Sequence, residues 1–387
     1  MGYDDSLNFI FRMPTKIIFG PDSVNETGLQ LDELGCKKAL LVTDRDLAKS
    51  EIINRVKSAI GKRLAGTFDE VTPDSGVHIV NRGAEIARSL GIDSIVTAGG
   101  GSSIDTAKGI QICLKLGGKL EDHEGFNIMT EKGVPHIVIP TTAGTGSEVT
   151  YAAVIKDHAQ KRKLIFGDNH IIPDIAILDP VLISGMPPKL TAATGMDAFT
   201  HCVEAIHSLQ REPIADALAL HGIRLITEYL PRSVENGNDI TARGQMLIAA
   251  NIAGVAFSNA QVGIIHALAH AVGAKFNVPH GVANSILMPH CMLYNLDVAA
   301  ERYAMIAEAM GLNVRGKTPE EAARMAIEAI RELSKKVNVP QRLRDVDVPE
   351  DRLEECVPDA MSDGSIVYNP KFVTDPGDLL NILKEAW

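Results

Sequence analysis

The sequence is short of several things, and each shortage removes a class of protein. Only five of its 387 residues are cysteine (Cys36, Cys113, Cys202, Cys291, Cys356), and no two form a Cys-x-x-Cys pair. An odd, scattered set argues against a disulfide framework or a structural zinc cluster and fits a reducing cytoplasm. Positive charge is also scarce. Against 49 acidic residues stand 38 Lys and Arg, a formal net charge of −11. Neither nucleic acid nor an anionic membrane surface is an expected partner. No run of about 18 apolar residues occurs, so no transmembrane helix is expected. The opening MGYDDSLNFIFRMPTK has no basic segment leading into an apolar one and does not read as a secretory signal. Internal repeats, low-complexity tracts, a GxGxxG fingerprint and a Walker P-loop are all missing.

What is there is ordinary in bulk: 45% hydrophobic and 22% charged residues, enough for a sizeable core. The length suits two domains. In the first half, short apolar runs alternate with helical periodicity. Strands are expected at 17–19, 39–43, 64–68, 94–98, 137–139 and 176–178, with helices at 22–34, 46–61, 76–90 and 103–116. Continuous apolar strands separated by helices argue for an α/β domain with a parallel sheet covered on both faces. Residues 152–156 and 163–166 read as a hairpin insertion. Two prolines in MPP (186–188) mark a boundary with a helix starting after them. Beyond it almost everything has helical periodicity: 189–207, 213–230, 241–259, 263–275, 297–311 and 319–337. The expected organisation is therefore an α/β domain over 1–186 and an all-helical bundle domain over 187–387.

Three strand ends in the first domain carry suggestive chemistry, because open α/β sheets bind ligands beyond the carboxyl ends of their strands. Gly99-Gly100-Gly101-Ser102 leads into a helix N-terminus, where free N–H groups and the dipole favour a phosphate. As a tight turn it would look the same. Thr141 to Ser147 (TTAGTGS) makes a second polar cradle, otherwise a linker of turn formers. Asp44 ends the run ALLVT. It suits a ribose hydroxyl, although a helix cap is the simpler role for it alone.

The second domain holds the densest signal. Three of the twelve histidines, His266, His270 and His280, fall within residues 263–281 of an apolar, Ala-rich stretch. Asp197 and His201, in GMDAFTHCVEA, stand four apart and so share a helix face. One such histidine would more often be a hydrogen-bonded core residue. Five candidate groups on two helical segments favour a divalent metal site of mixed N/O character, suited to Fe, Zn, Co or Mn. Helical spacing pairs His266 with His270 and does not rank His270 against His280. Ala267 stands where a zinc-protease helix carries its Glu base, which disfavours that chemistry.

These stretches together resemble the iron-dependent (group III) alcohol dehydrogenases along essentially the whole chain. Matching segments are PTKIIFG (14–20), LLVTD (40–44), GGGSSIDTAK (99–108), PTTAGTGSEVT (140–150), GMPPKLTAATGMDAFTHCVEA (185–205) and HALAHAVGAKFNVPHG (266–281). The resemblance implies a dinucleotide-binding α/β domain and an all-α domain with the active site in the cleft between them. It implies Asp197, His201, His266 and His280 as ligands of Fe2+, with Zn2+ able to satisfy the same set, and His270 as the residue facing substrate and nicotinamide. It implies NAD contacts from Gly100, Gly101, Ser102, Thr141, Thr142 and Ser147, with Asp44 at the adenosine ribose and Asp74, Lys163 and Leu182 lining the cofactor. Ser103 stands where the family has a proline.

The expected activity is NAD- and metal-dependent interconversion of a small primary alcohol or diol and its aldehyde. The alternatives are a lyase of the dehydroquinate-synthase type, or an enzyme like glycerol dehydrogenase or maleylacetate reductase. Val149, Tyr151, Ala256, Phe257 and Phe276 are candidate pocket residues. An exposed N-terminal strand edge at 8–19 suggests a homodimer or higher homo-oligomer.

Overall fold

The computed structural model describes residues 7–158 and 162–387. The start of the N-terminal segment lies outside the described residues, as does the tip of the hairpin. The remainder divides into two compact units that are not contiguous in sequence. One comprises Pro14–Gly195 with Tyr229–Gly254; the other comprises Met196–Glu228, Val255–Trp387 and residues 7–13. A division at 186/187 follows composition. By packing, residues 187–195 and 229–254 go with the sheet.

The first unit alternates β1 (Lys16–Phe19), α1 (Thr27–Glu33), β2 (Ala39–Asp44), α2 (Glu51–Ile60), β3 (Leu64–Val71), α3 (Val77–Leu90), β4 (Ser94–Gly99) and α4 (Gly101–Leu116). There follow β5 (Gly125–Phe126), β6 (His136–Pro140), β7 (Ala152–Asp157), β8 (Arg162–Gly167) and β9 (Ile175–Leu178). Six strands form one all-parallel sheet in the order β1-β9-β6-β4-β2-β3. A period of two sends successive residues of β2 to opposite faces. Leu40 and Val42 join Phe68, Val80, Ala84 and Ile110 under α3 and α4. Ala39 and Leu41 join Leu31, Ile53, Val56 and Ile60 under α1 and α2. Both faces are therefore buried, which is why the strand carries no polar alternation. The hairpin expected after residue 150 forms as β7 against β8, with β5 added on.

The chain runs outward from β2 to β3, returns to β4 on the other side of β2, and continues to β6 and β9. That reversal of winding is a topological switch point, and it lies between β2 and β4.

The helices that follow are α5 (Pro188–His207), α6 (Pro213–Glu235), α7 (Ile240–Ala260), α8 (Ile264–Phe276), α9 (His280–Tyr294), α10 (Leu296–Ala309), α11 (Pro319–Lys336), α12 (Val357–Ser362) and α13 (Pro376–Ala386). Three features depart from expectation. First, α9 has no counterpart in the periodicity reading, because Pro289 lies inside it, and neither do α12 and α13. α8 stops at Asn277 in the left-handed conformation (φ 57°), Pro279 supplies the extended residue, and His280 starts the next helix. Secondly, the N-terminal edge is shorter than 8–19. Only Lys16–Phe19 is strand, paired with β9 at one end of the sheet. Thirdly, α7 has the length and hydropathy of a membrane span, contrary to expectation. However, 67% of its apolar window is buried inside the protein. Its Arg243 is also buried, donating to Gly237 O, Thr191 Oγ1 and Met186 O.

Candidate active site

In the helical unit, α5 brings Asp197 and His201 onto one face, and α8 supplies His266 from its first turn. Asp197, His201 and His266 are buried, with their ligand-capable atoms within 4.8 Å of one another. His280, first residue of α9, stands beside the group. Its Nε2 lies 3.5 Å from Asp197 Oδ1, and its ring centre is 5.2 Å from that of His266. Asn284, one turn along α9, donates its amide to Asp197 Oδ1 at 2.7 Å and lies 3.2 Å from Nε2 of both His266 and His280.

The environment is apolar and short of compensating charge. Burial pushes the His201 imidazole down to about 4, Asp197 offsetting only part of this. Phe257 stacks on His201 with ring centres 4.3 Å apart. The Nδ1 of His201 is buried without a partner among the described residues. One carboxylate and three imidazoles, with no Lys or Arg among them, are the donor set of a divalent transition metal. The residues fit such an ion.

His270 is set apart from this group. Its ring stacks on His280 (5.2 Å, 15°), and its Nδ1 bonds Asp363 Oδ2 at 2.7 Å. Burial works to raise the Asp363 carboxyl. The His270 imidazole and the Ser365 donors outweigh it and hold the carboxyl well below the usual range. A carboxylate on Nδ1 leaves Nε2 as the nitrogen with which His270 can act.

Behind the cluster, Glu204 is wholly buried and bonds His266 Nδ1. Burial opposes ionisation of both groups, yet each sustains the other's charge. Glu204 is held below, and His266 above, its ordinary value.

In the sheet unit, the candidate nucleotide residues gather at the switch point. β4 and β6 are paired up to Gly99 and Pro140, and Thr141 N donates to Gly99 O at 3.0 Å, so the two loops that follow start side by side. A Cβ on Gly100 would stand 3.2 Å from Thr142 Oγ1, and one on Gly101 would stand 2.9 Å from Thr145 Cγ2. These glycines allow the loops to approach, while α4 begins at Gly101 with no side-chain cap on its N–H groups. Ser102 Oγ accepts from Asp74 N at 3.3 Å. Asp74 itself is left-handed (φ 51°) and lies 3.9 Å from Lys163. Asp44 acts as the cap that its position allows. Its Oδ1 accepts from Asp46 N and Leu47 N (3.1 and 2.8 Å), capping the next turn, while Oδ2 lies beside Gly99.

Two of the candidates are more engaged with the scaffold. The Ser147 hydroxyl is held between Asp105 (2.7 Å) and Lys108 (3.2 Å). Leu182 is buried in the apolar layer with Val96, Ala98 and Ile139. Among the pocket guesses, Phe276 packs under the Arg352 guanidinium at 5.2 Å.

Sequence reading missed four residues that shape these sites: Glu204, Asp363, Asn284 and Lys108. Glu204 had a signal, an acid seven residues after Asp197 on an apolar helix face. Asn284 follows His280 by four, but α9 itself went unseen. Asp363 lies 93 residues from His270 and gave no local sign. Lys108 is fully buried in α4 and donates to Ser147 Oγ, Thr150 Oγ1, and the carbonyls of Thr150 and Ala152 (2.8–3.2 Å). Burial pushes it down to about 8 against the pull of Asp105 and Glu148. It ties the 141–150 loop to α4.

Comparison with known proteins matches residues 14–180 to the family described as iron-containing alcohol dehydrogenase. Residues 191–387 match the C-terminal part of the Fe-containing alcohol dehydrogenase family. The chain is 40% identical over 380 residues to an NAD-dependent methanol dehydrogenase of Bacillus methanolicus, covering 97% of this chain and 99% of that protein. It is 41% identical to a 1,3-propanediol dehydrogenase of Citrobacter freundii, covering 94% and 95%. A crystal structure of a 1,3-propanediol oxidoreductase superposes with a TM-score of 0.95 at 38% identity, covering 98% of this chain and all of that one.

Proposed function

The chain belongs to the iron-containing alcohol dehydrogenase family, and from that premise we propose that it interconverts a small primary alcohol or diol and its aldehyde, with NAD(H) carrying the hydride. The observation that carries this reading is the buried donor cluster of Asp197, His201 and His266 in a family member. Membership also sets aside the rival lyase.

Asp197, His201, His266 and His280 would hold the divalent ion, iron by family and zinc by donor chemistry alone. That ion supplies Lewis-acid stabilisation of developing alkoxide charge on the substrate oxygen. NAD supplies the hydride chemistry itself. The chain's own groups do the rest. Phe257, stacked on His201, contributes an apolar wall that excludes water beside the site. Asp363 holds the Nδ1 proton of His270, which leaves Nε2 as the nitrogen to accept the hydroxyl proton, or to return it in the reductive direction. The glycines of the 99–101 turn and the uncapped N-terminus of α4, with Thr141 and Thr142, would hold the pyrophosphate. Asp44 would accept a hydrogen bond from the adenosine ribose.

The names of the two relatives, a methanol and a propanediol dehydrogenase, favour short alcohols and diols as substrates. Self-association through the β1 edge belongs to the same proposal. It is supported by the exposure of Phe19 there.

The decisive experiment follows NADH absorbance with a panel of short alcohols on metal-analysed protein, before and after chelation. Turnover is expected to vanish on demetallation and return with Fe2+ or Zn2+, while NAD binding measured by calorimetry persists. The candidate nucleotide residues lie in the sheet unit and the metal-binding ones in the helical unit. Activity surviving rigorous demetallation would sink the reading.

A further inference from the structure

α5 presents three chemistry-bearing residues at i, i+4 and i+7: Asp197, His201 and Glu204. The first two are in the donor cluster. Glu204 is one turn beyond it and bonds His266. Its carboxylate is completely buried, a position that costs several kcal/mol unless the lone pairs are met.

Here they are met from two directions. Oε1 accepts the backbone N–H of Ile265 at 2.8 Å and of His266 at 3.4 Å. These are N–H groups of the first turn of α8, which have no partner within the helix and sit at its positive end. Gly263, the residue before α8, lies against the same oxygen, 3.4 Å from where its Cβ would stand. Oε2 is bonded to His266 Nδ1.

An ionised carboxylate only accepts hydrogen bonds. Its partner Nδ1 must therefore carry a ring proton, and Nε2 is the nitrogen left to give up its proton when a metal binds. Nε2 is also the nitrogen turned toward Asn284, 3.2 Å away, on the side where Asp197 and His280 converge. One side chain thus fixes both where α8 begins and which nitrogen His266 offers.

We propose that Glu204 is the positioning residue of the metal site: it orients the His266 ring, holds a proton on Nδ1 and so makes Nε2 the nitrogen offered to the metal. The proposal rests on the reading of Asp197, His201, His266 and His280 as the metal site.

Glu204→Gln tests it, because an amide has one acceptor oxygen where the site needs two. If that oxygen serves the α8 N–H groups, the NH2 faces Nδ1 and drives the proton to Nε2. If it serves Nδ1, the NH2 abuts the helix N–H groups. Zn2+ affinity is read by competition with a chelating dye, with no assay of activity. Glu204→Gln is expected to weaken binding by about 10–100-fold. In a His266→Ala background the same change should alter affinity less than about twofold, since the ligand it positions is gone.

Equal loss in both backgrounds would reduce Glu204 to a structural role and overturn the proposal, as would unchanged affinity in the single variant. If Asp197→Ala and His266→Ala bind Zn2+ as the parent does, the metal-site reading itself has failed. If they lose binding and Glu204→Gln does not, only the positioning role has. Should Glu204→Gln fail to fold, 15N NMR of histidine-labelled, Zn2+-loaded parent protein gives the answer without it. A proton on His266 Nδ1 with zinc at Nε2 supports the proposal, and the reverse assignment overturns it.

Discussion

At the residue scale, the two histidines that helical spacing pairs, His266 and His270, are separated by what stands on their Nδ1 atoms. Glu204 backs His266 and Asp363 backs His270. In each pair the carboxylate stands on Nδ1 and leaves Nε2 as the other ring nitrogen. His270→Asn is expected to lower kcat by roughly 10²–10⁴-fold and flatten the limb of the pH–rate profile that it governs. Asp363→Asn, whose amide can face Nδ1 as a donor, should shift that limb while leaving metal content unchanged. An unaltered profile in both variants would remove His270 from proton transfer. Asp44 carries the other residue-scale prediction. Its carboxylate repels a 2′-phosphate, so kcat/KM should favour NAD over NADP, and Asp44→Ala should narrow the gap. Equal efficiency with both cofactors in the parent protein would remove the ribose role.

At the element scale, the loop between β6 and β7 is placed by backbone contact. Gly146 is left-handed (φ 60°), and its Cα and carbonyl press against Gly254 of α7. A Cβ on Gly254 would stand 2.7 Å from Gly146 O and 2.9 Å from Gly146 Cα, both backbone atoms that cannot swing aside. Gly254→Ala must therefore move the loop or the helix, at a cost of roughly 1–3 kcal/mol. Thr141 and Thr142 ride on that loop, so KM for NAD is expected to rise while Zn2+ affinity holds. Thermal unfolding and steady-state kinetics check the two halves. Lys108 explains why the loop resists such movement from the other side. Its buried ammonium bonds Ser147, Thr150 and Ala152 at once.

At the scale of the whole molecule, buried neutral imidazoles make folding sensitive to acid. His136, inside β6, bonds Thr97 and is pushed down to about 3 by burial, with Lys108 and Lys132 adding to the effect. His207 in α5 bonds Tyr303, and burial takes it down to about 4. Unfolded, each recovers a value near 6.5. Between those limits the unfolded chain binds protons that the folded chain does not, so stability is full above about 6.5 and falls as pH drops toward 4. The loss should reach a few kcal/mol, about 1.4 per pH unit for each group. Denaturant midpoints between pH 7 and 4 measure it, and His136→Gln should give a visibly shallower decline. An identical slope would place the acid sensitivity elsewhere.

Much of this was legible beforehand because the signals are local. Continuous apolar runs and period-3.6 hydrophobicity located the strands of the parallel sheet and most helices, and glycines and hydroxyls at strand ends marked the candidate nucleotide loops. The pairs Asp197/His201 and His266/His270 follow from one helix turn each. The sequence by itself determined the fold class, the family and the residues that converge. Tertiary structure alone decided the rest, because it depends on contacts between distant segments. It put His280 at the head of an unforeseen α9, since Pro289 inside that helix masks its periodicity. It assigned 229–254 to the sheet unit, because burial follows packing partners and not chain order. It also gave His266 and His270 their separate acids: Glu204 from 62 residues upstream and Asp363 from 93 downstream. No spacing rule reaches across such distances. A hydrogen bond to Nδ1 is set by where a folded backbone brings the carboxylate.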